Sequence, residues 1–409
     1  MGEGVEVDEG QRPFDGLKVI DCASFIAAPA AATIFADFGA DVIKVEPPEG
    51  DPYRELFRPG GFGPDDRNYG WELDSRNKRS LAVDLKRPEG IEVLHRLVAG
   101  ADVFLTNLPL AVRSRLGIDD ATVCALNPRL VYGSFTAYGE TGDEAGKTGF
   151  DSTAYWARSG LMDLVKPDHS APPARSAAGM GDHPSAMTLF AAITAALYRR
   201  ERTGRGGMVR SSLLANGLWA NACLVQARLF GAPVPPRAPR EQCPNAMTNT
   251  YRCGDGKWLN LVSINEARQF GPLLEVLGCA EAADDPRFAT LEARRANSAA
   301  LVALLDARFA LRPRADWSPL LDAAGVTFSE ISTLDDIPND PQLRAAGALV
   351  AFAEGPGLTV SSPFTMDGAP KVGPNLAPTL GAHTLAVLRE TGYDEAGIQA
   401  LRERGIVGG

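Results

Sequence analysis

The sequence predicts an α/β protein: a doubly wound parallel sheet in its first half, then a smaller unit. Three observations carry this. The chain opens strand–helix–strand within roughly thirty residues, the span of a right-handed crossover between parallel strands. Short apolar runs and amphipathic stretches keep alternating to residue 138, as they do in a sheet covered on both faces. Composition then shifts over 230–249, where Ala232-Pro233-Val234-Pro235-Pro236-Arg237-Ala238-Pro239-Arg240 reads as a linker.

In order, residues 1–14 are acidic and polar, neither a signal nor a transit peptide, and form a loose tail. A strand follows at 17–22. A helix at 29–38 sets Ile34, Phe35 and Phe38 on one face and stops at Gly39, and a strand runs over 41–46. The turn after the first strand, Ala23-Ser24-Phe25-Ile26-Ala27-Ala28, lacks the glycine fingerprint of a dinucleotide site. That argues against an ordinary NAD enzyme. After a Gly/Pro/acid-rich loop at 47–68 come a strand at 80–85, a helix at 88–99, and strands at 102–105 and 130–138. Residues 186–198 are apolar almost all round, which predicts a helix buried on every side; Pro184 suits its first position and Gly204 its left-handed stop. A second helix covers 211–229. Beyond the linker, 250–261 is a hairpin turning on Gly254-Asp255-Gly256, and helices occupy 266–277, 298–310 and 315–324. An extended stretch at 349–378 leads to helices at 383–391 and 395–404. The divisions are a tail at 1–14, a large domain at 15–229, a linker at 230–249, a small domain at 250–345 and a return at 346–409.

The 409 residues, 45% hydrophobic and 22% charged, suffice for two domains. A net charge of −10 argues against nucleic acid or anionic membrane as partner, though not against an anionic cofactor met by local charge. The six cysteines show no paired spacing, which predicts free thiols in a reducing compartment and no zinc site. No run approaches membrane-spanning length, so the expected setting is the cytoplasm.

The candidate reactive group is Asp182, in Gly179-Met180-Gly181-Asp182-His183-Pro184. A carboxylate at the positive end of a buried helix is held as an anion in a partly dry place, as a nucleophile needs, although on local sequence alone such an aspartate reads first as a plain helix cap. Three basic groups, Asn77-Lys78-Arg79-Ser80, Lys86-Arg87, and Arg113 with Arg115, flank strand ends or helix starts. Gathered at one sheet edge they can bind phosphates; singly, each reads as surface charge. His95, His169, His183 and His383 show no metal spacing. His95 reads as structural and His183 as a helix-start residue. No Gly-x-Ser-x-Gly elbow occurs, which disfavours a serine hydrolase.

Read over the full length, these stretches resemble the class III coenzyme A-transferase family, which also contains the α-methylacyl-CoA racemases. The resemblance rests on the order of Leu17-Lys18-Val19-Ile20-Asp21, Gly39-Ala40-Asp41-Val42-Ile43-Lys44-Val45-Glu46-Pro47-Pro48, Asp84-Leu85-Lys86-Arg87-Pro88-Glu89-Gly90, Arg115-Leu116-Gly117, Asn127-Pro128-Arg129, Gly149-Phe150-Asp151, Gly181-Asp182, Arg202-Thr203-Gly204-Arg205-Gly206, Asp255-Gly256-Lys257-Trp258 and Asp285-Pro286-Arg287-Phe288. It implies a large Rossmann-like domain built from both chain ends, a small inserted α+β domain, and an interlocked homodimer. It implies Asp182 as nucleophile and a coenzyme A site lined by Lys86, Asn107, Arg115, Tyr138, Val83 and the backbone of Phe25, Ile26 and Ala27. The substrates are then an acyl-CoA and a carboxylic acid, with no metal. Asp182 attacks the thioester, a mixed anhydride forms, and the returning thiolate makes an aspartyl-CoA thioester. Backbone N–H groups of the neighbouring glycines or the helix start would meet developing oxyanions.

The family's racemases carry a histidine base where this chain has Phe150, which cannot take a proton. Transfer is therefore favoured over racemisation, with a noncatalytic CoA-binding relative as a further alternative. Ile26 and Thr136 replace a glutamine and a lysine of the oxalate–formate enzymes, so oxalate is not the expected substrate. The Gly-Asp-His-Pro segment resembles relatives that handle 2-hydroxy, aryl or branched acids.

Overall fold

The computed structural model describes residues 12–56, 68–355 and 357–409. Most of the tail expected at 1–14, and much of the loop expected at 47–68, lie outside the described residues. The chain divides into two units, Met1–Leu161 with Arg175–Val225 and Pro341–Gly409, and Met162–Ala174 with Gln226–Asp340.

The first unit is built on β1 (Lys18–Asp21), α1 (Ala27–Asp37), β2 (Asp41–Glu46), α2 (Tyr53–Leu56), α3 (Tyr69–Ser75), β3 (Arg79–Ala82), α4 (Pro88–Ala99), β4 (Val103–Thr106), α5 (Leu110–Arg115), α6 (Asp120–Leu126) and β5 (Val131–Thr136). A π-helical turn at Asp151–Ala157 leads to α8 (Asp182–Thr203), β6 (Gly207–Ser212) and α9 (Leu213–Ala220), while α7 (Leu161–Leu164) and α10 (Ala222–Leu229) run across the unit boundaries. The sheet is parallel throughout, in the order β3-β2-β1-β4-β5-β6. Its central strands are almost wholly buried because helices cover both faces, the usual pattern of parallel sheets. Every residue of α1 is buried, and its run of alanines lets it sit close against β1 and α8. Phe190 of α8 locks onto Phe35 of α1 with ring centroids 4.6 Å apart.

In the second unit, β7 (Thr248–Arg252), β8 (Trp258–Val262) and β9 (Phe328–Glu330) form an antiparallel sheet. Against it pack α11 (Glu266–Val276), α12 (Leu291–Ala296), α13 (Ser298–Phe309) and α14 (Arg314–Ala323), around Tyr251, Phe309 and Trp317. The chain returns to the first unit through α15 (Pro341–Ala345), β10 (Leu349–Ala351), β11 (Leu358–Val360), α16 (Thr384–Glu390) and α17 (Glu395–Glu403). Val387, Leu388, Ile398 and Leu401 of the last two helices share a core with Ile20, Ile43, Leu81 and Phe104 of the sheet.

Some expectations are corrected. The long helix starts at Asp182, four residues before the apolar run, so Pro184 is its third residue. It is not buried on every side. Pro184, Thr188, Ala191, Ala195 and Tyr198 form an exposed stripe, because alanine reads as apolar yet loses little by facing out. The single helix expected at 211–229 is two, α9 and α10, preceded by a strand. That strand, β6, was hidden by its pattern: Gly-Met-Val-Arg-Ser-Ser neither alternates nor forms an apolar run. Gly206 admits it beside β5, since a Cβ there would lie 2.0 Å from the Leu130 carbonyl oxygen.

Candidate active site

Strand order reverses between β1 and β4, and open α/β sheets bind ligands outside the carboxyl ends of the strands at such a point. Ser24, Phe25, Ile26 and Ala27 follow β1, and Asn107, Leu108 and Pro109 follow β4. With Phe135, Phe150, Asp151, Asp182 and Leu213 they line a cavity of about 300 Å³. A second cavity of about 300 Å³, lined by Pro47, Asp51, Val83, Lys86, Val112 and Arg115, shares Ser24 and Leu108 with the first.

The loop after β1 is held from two sides. Asn107 pairs its whole amide with the Ser24 backbone: Oδ1 accepts from the Ser24 N–H at 2.8 Å and Nδ2 donates to the Ser24 carbonyl at 2.7 Å. Asp51 accepts from the Ser24 hydroxyl at 2.8 Å and the Tyr53 N–H at 2.9 Å, and binds Lys44 Nζ at 2.8 Å. Lys44 also donates to the Ala23 carbonyl. Burial pulls the Lys44 pKa down, but Asp21 and Asp51 outweigh it and the ammonium ends above its ordinary value. Burial likewise raises Asp51, and Lys44 more than reverses this. Clamped in this way, Phe25 takes φ +62°, a conformation strained for a bulky residue. Its ring meets Phe150 edge to face at 5.8 Å.

Asp182 is the first residue of α8. The Gly181 and Asp182 N–H groups donate to Asp151 Oδ2 at 2.8 and 3.3 Å. Asp151 Oδ1 is buried with no hydrogen-bond partner among the described residues. Gly181 is required, because a Cβ there would lie 2.4 Å from Tyr155 Cγ. The Asp182 pKa is pushed up to about 7, chiefly by burial and next by Asp151; His183 pulls it down and Asp74 adds to the rise. His183 Nε2 lies 3.0 Å from Asp74 Oδ1 and its Nδ1 lies 3.1 Å from the Gly179 carbonyl.

The structure therefore brings Phe25, Ile26, Ala27, Asn107 and Asp182 to one cavity and Val83, Lys86 and Arg115 to the adjoining one. Tyr138 lines neither; its ring packs against Gly149, with Lys147 Nζ 5.0 Å from the centroid. The basic groups divide. Lys86 and Arg115 reach the second cavity. Lys78 is buried against Asp21 at 2.8 Å, Arg79 pairs with Asp41 and Glu390, and Arg113 is buried against Ser134 and the Phe135 carbonyl. Of the oxyanion donors expected beside Asp182, the Gly181 and Asp182 N–H groups are engaged by Asp151 and the His183 N–H by the Gly179 carbonyl. Sequence reasoning did not single out Asp51, Asp74 or Asp151 as site residues. Asp151 stood in the quoted Gly149-Phe150-Asp151 stretch, but nothing local tied it to a helix thirty residues on. Among the described residues no group of three His, Cys, Asp or Glu side chains is arranged to hold a metal, and no helix is long and apolar enough to cross a membrane.

With this geometry in view, residues 14–384 match CoA-transferase family III. The chain belongs to that family. It is 33% identical over 401 residues to the (R)-2-hydroxy-4-methylpentanoate CoA-transferase of Clostridioides difficile, covering 96% of this chain and 99% of that one. It is 31% identical over 408 residues to the cinnamoyl-CoA:phenyllactate CoA-transferase of Clostridium sporogenes, covering 97% and 98%. A crystal structure of a CAIB/BAIF family protein from Brucella suis superposes with a TM-score of 0.83 at 33% identity, over 93% of this chain and 99% of that one. The protein is thus a family III CoA-transferase, and its substrates are acyl-CoA thioesters and carboxylic acids.

Proposed function

We propose that Asp182 is the nucleophile of this transferase and that the reaction runs through an aspartyl anhydride and an aspartyl-CoA thioester. One observation carries the reading: a carboxylate with an elevated pKa faces the cavity at the sheet's switch point, beside a second buried carboxylate. The free anion is costly there because burial and Asp151 both oppose its charge. Acylation removes that charge, which lowers the cost of the covalent forms relative to the free anion.

The steps balance without an outside reactant. An Asp182 oxygen bonds to the thioester carbonyl carbon, the C–S bond breaks, and CoA thiolate leaves. The thiolate attacks the aspartyl carbonyl of the anhydride, and the first acid departs as its carboxylate. An acceptor carboxylate then attacks the aspartyl thioester and expels the thiolate. The thiolate attacks the acceptor's carbonyl and restores Asp182. Over the whole cycle one thioester replaces another, so the net exchange needs no outside energy source. The start of α1, which no side chain caps and whose Ala27 lines the same cavity, offers an amide to the developing oxyanion. Lys86 and Arg115, in the adjoining cavity, suit the phosphates of coenzyme A.

For the acid we infer a small monocarboxylate with an aromatic or branched tail, possessing a 2-hydroxyl as in the two relatives named above. The apolar lining from Phe25, Ile26, Leu108, Leu110, Phe135 and Phe150 supports the tail. An interlocked homodimer and a cytoplasmic setting belong to the same reading. Incubation with acyl-CoA and hydroxylamine should inactivate the enzyme and leave a hydroxamate at residue 182. Full activity in Asp182→Ala would rule the mechanism out.

A further inference from the structure

His183 has an unusual pair of partners. Its Nε2 lies 3.0 Å from a carboxylate oxygen of Asp74, and its Nδ1 lies 3.1 Å from the Gly179 carbonyl. Both partners only accept hydrogen bonds when Asp74 is ionised, whereas a neutral imidazole has one N–H to give. Only the imidazolium satisfies both contacts. Asp74 is itself fixed: its Oδ2 accepts from the Tyr53 hydroxyl at 3.0 Å, and its carbonyl accepts from Lys78 Nζ and Thr33. The Gly179 carbonyl receives a second bond, from the His183 N–H at 3.0 Å. Gly179 has φ +84°, and a Cβ on it would sit 3.0 Å from Nδ1, so the turn and the ring are fitted to one another.

We propose that His183 is a doubly protonated positioning residue, bridging Asp74 and the Gly179 carbonyl so that it fixes the turn leading to Asp182 and sets one positive charge against two neighbouring carboxylates. This rests on Asp182 being the nucleophile. The groups that face the imidazole are Asp74 from α3, the Gly179 carbonyl, and Asp182 on its own helix. Tyr53 and Lys78 act on it through Asp74. Asp151 bears on Asp182 from the π-helical turn. Burial works against the charged ring, but Asp74 outweighs it and holds the His183 pKa above the ordinary value. The cation in turn favours ionised Asp182, opposing Asp151 and Asp74. With both nitrogens committed, His183 is no free base for moving a substrate α-proton.

The test begins with the unaltered enzyme. In protein labelled with ¹⁵N-histidine, His183 is assigned by the signal lost in His183→Gln. At pH 7 both of its ring nitrogens should show the protonated state, and Asp74→Asn should lower its titration. A single neutral tautomer at pH 7 overturns the proposal. Kinetics supply the second arm. His183→Gln and His183→Asn should move the acid limb of kcat/KM upward by about one pH unit, since the Asp182 anion loses its cation. The loss is then about tenfold on the acid limb and is largely recovered at high pH. An equal loss at every pH would make His183 merely structural and sink the electrostatic role. Failure of hydroxylamine trapping strikes at Asp182 itself, and so is told apart from failure at His183.

Discussion

Asp182→Asn should make the protein more stable, and more so at high pH. The native carboxyl is pushed up from the ordinary 3.8 to about 7, first by burial and then by Asp151. Below pH 3.8 the folded and unfolded chains both carry the proton, and the group is neutral to stability. Between 3.8 and about 7 the unfolded chain ionises while the native one keeps its proton, so stability falls as pH rises; above about 7 the penalty is constant. Each pH unit is worth about 1.4 kcal/mol, so the full gap is about 4 kcal/mol, and partial contact with solvent reduces it to roughly 2 kcal/mol. The amide carries no charge and escapes the penalty. The gain over the parent should therefore be about 1 kcal/mol larger at pH 8 than at pH 5. In a chain of this size that is about 1–3 °C in Tm. Melting both proteins across this range, at one protein concentration and without acyl-CoA, reads the difference directly. A gain that is the same at pH 5 and pH 8, or a loss at pH 8, would show that the native carboxyl ionises like a free one.

Two further substitutions probe the frame around it. In Gly181→Ala the new Cβ would lie 2.4 Å from Tyr155 Cγ and 2.9 Å from Asp151 Oδ1, which forces the start of α8 off Asp151. A loss of about 2–4 kcal/mol in urea unfolding is expected from overpacking and the weakened N–H bonds, with activity falling alongside. Asn107→Ala removes both bonds to Ser24 and leaves that backbone unpaired, a cost of about 1–3 kcal/mol. The loop carrying Phe25 then relaxes, and steady-state kinetics should show KM for acyl-CoA rising about tenfold, with a smaller change in kcat.

Part of the candidate site is legible in local sequence. Glycines and a proline around Asp182 marked a helix start carrying an acid, and the turn after β1 already showed that no dinucleotide fingerprint was present. The hairpin closing on Gly254-Asp255-Gly256 was written in local residues as well, because a turn is decided by its own φ angles. Less visible were elements whose cause lies elsewhere in the chain. Strand β6 has no periodicity of its own and exists because β5 offers it an edge. The helix of 186–198 looked buried all round because alanine carries little information about which way it faces.

By itself the sequence determined the alternation of strands and helices, the acid at the head of a long helix, and a side chain at Phe150 that cannot take a proton. Tertiary structure alone decided what surrounds that acid. Asp151, Asp74 and Asp51 lie far from Asp182 in the chain, and only folding brings Asp151 under its amides, Asp74 onto His183 and Asp51 beneath the Phe25 loop. The physical reason is range. Backbone preferences act over a few neighbouring residues, whereas the energy of a buried charge depends on every charge and dipole near it in space, whatever their distance along the chain.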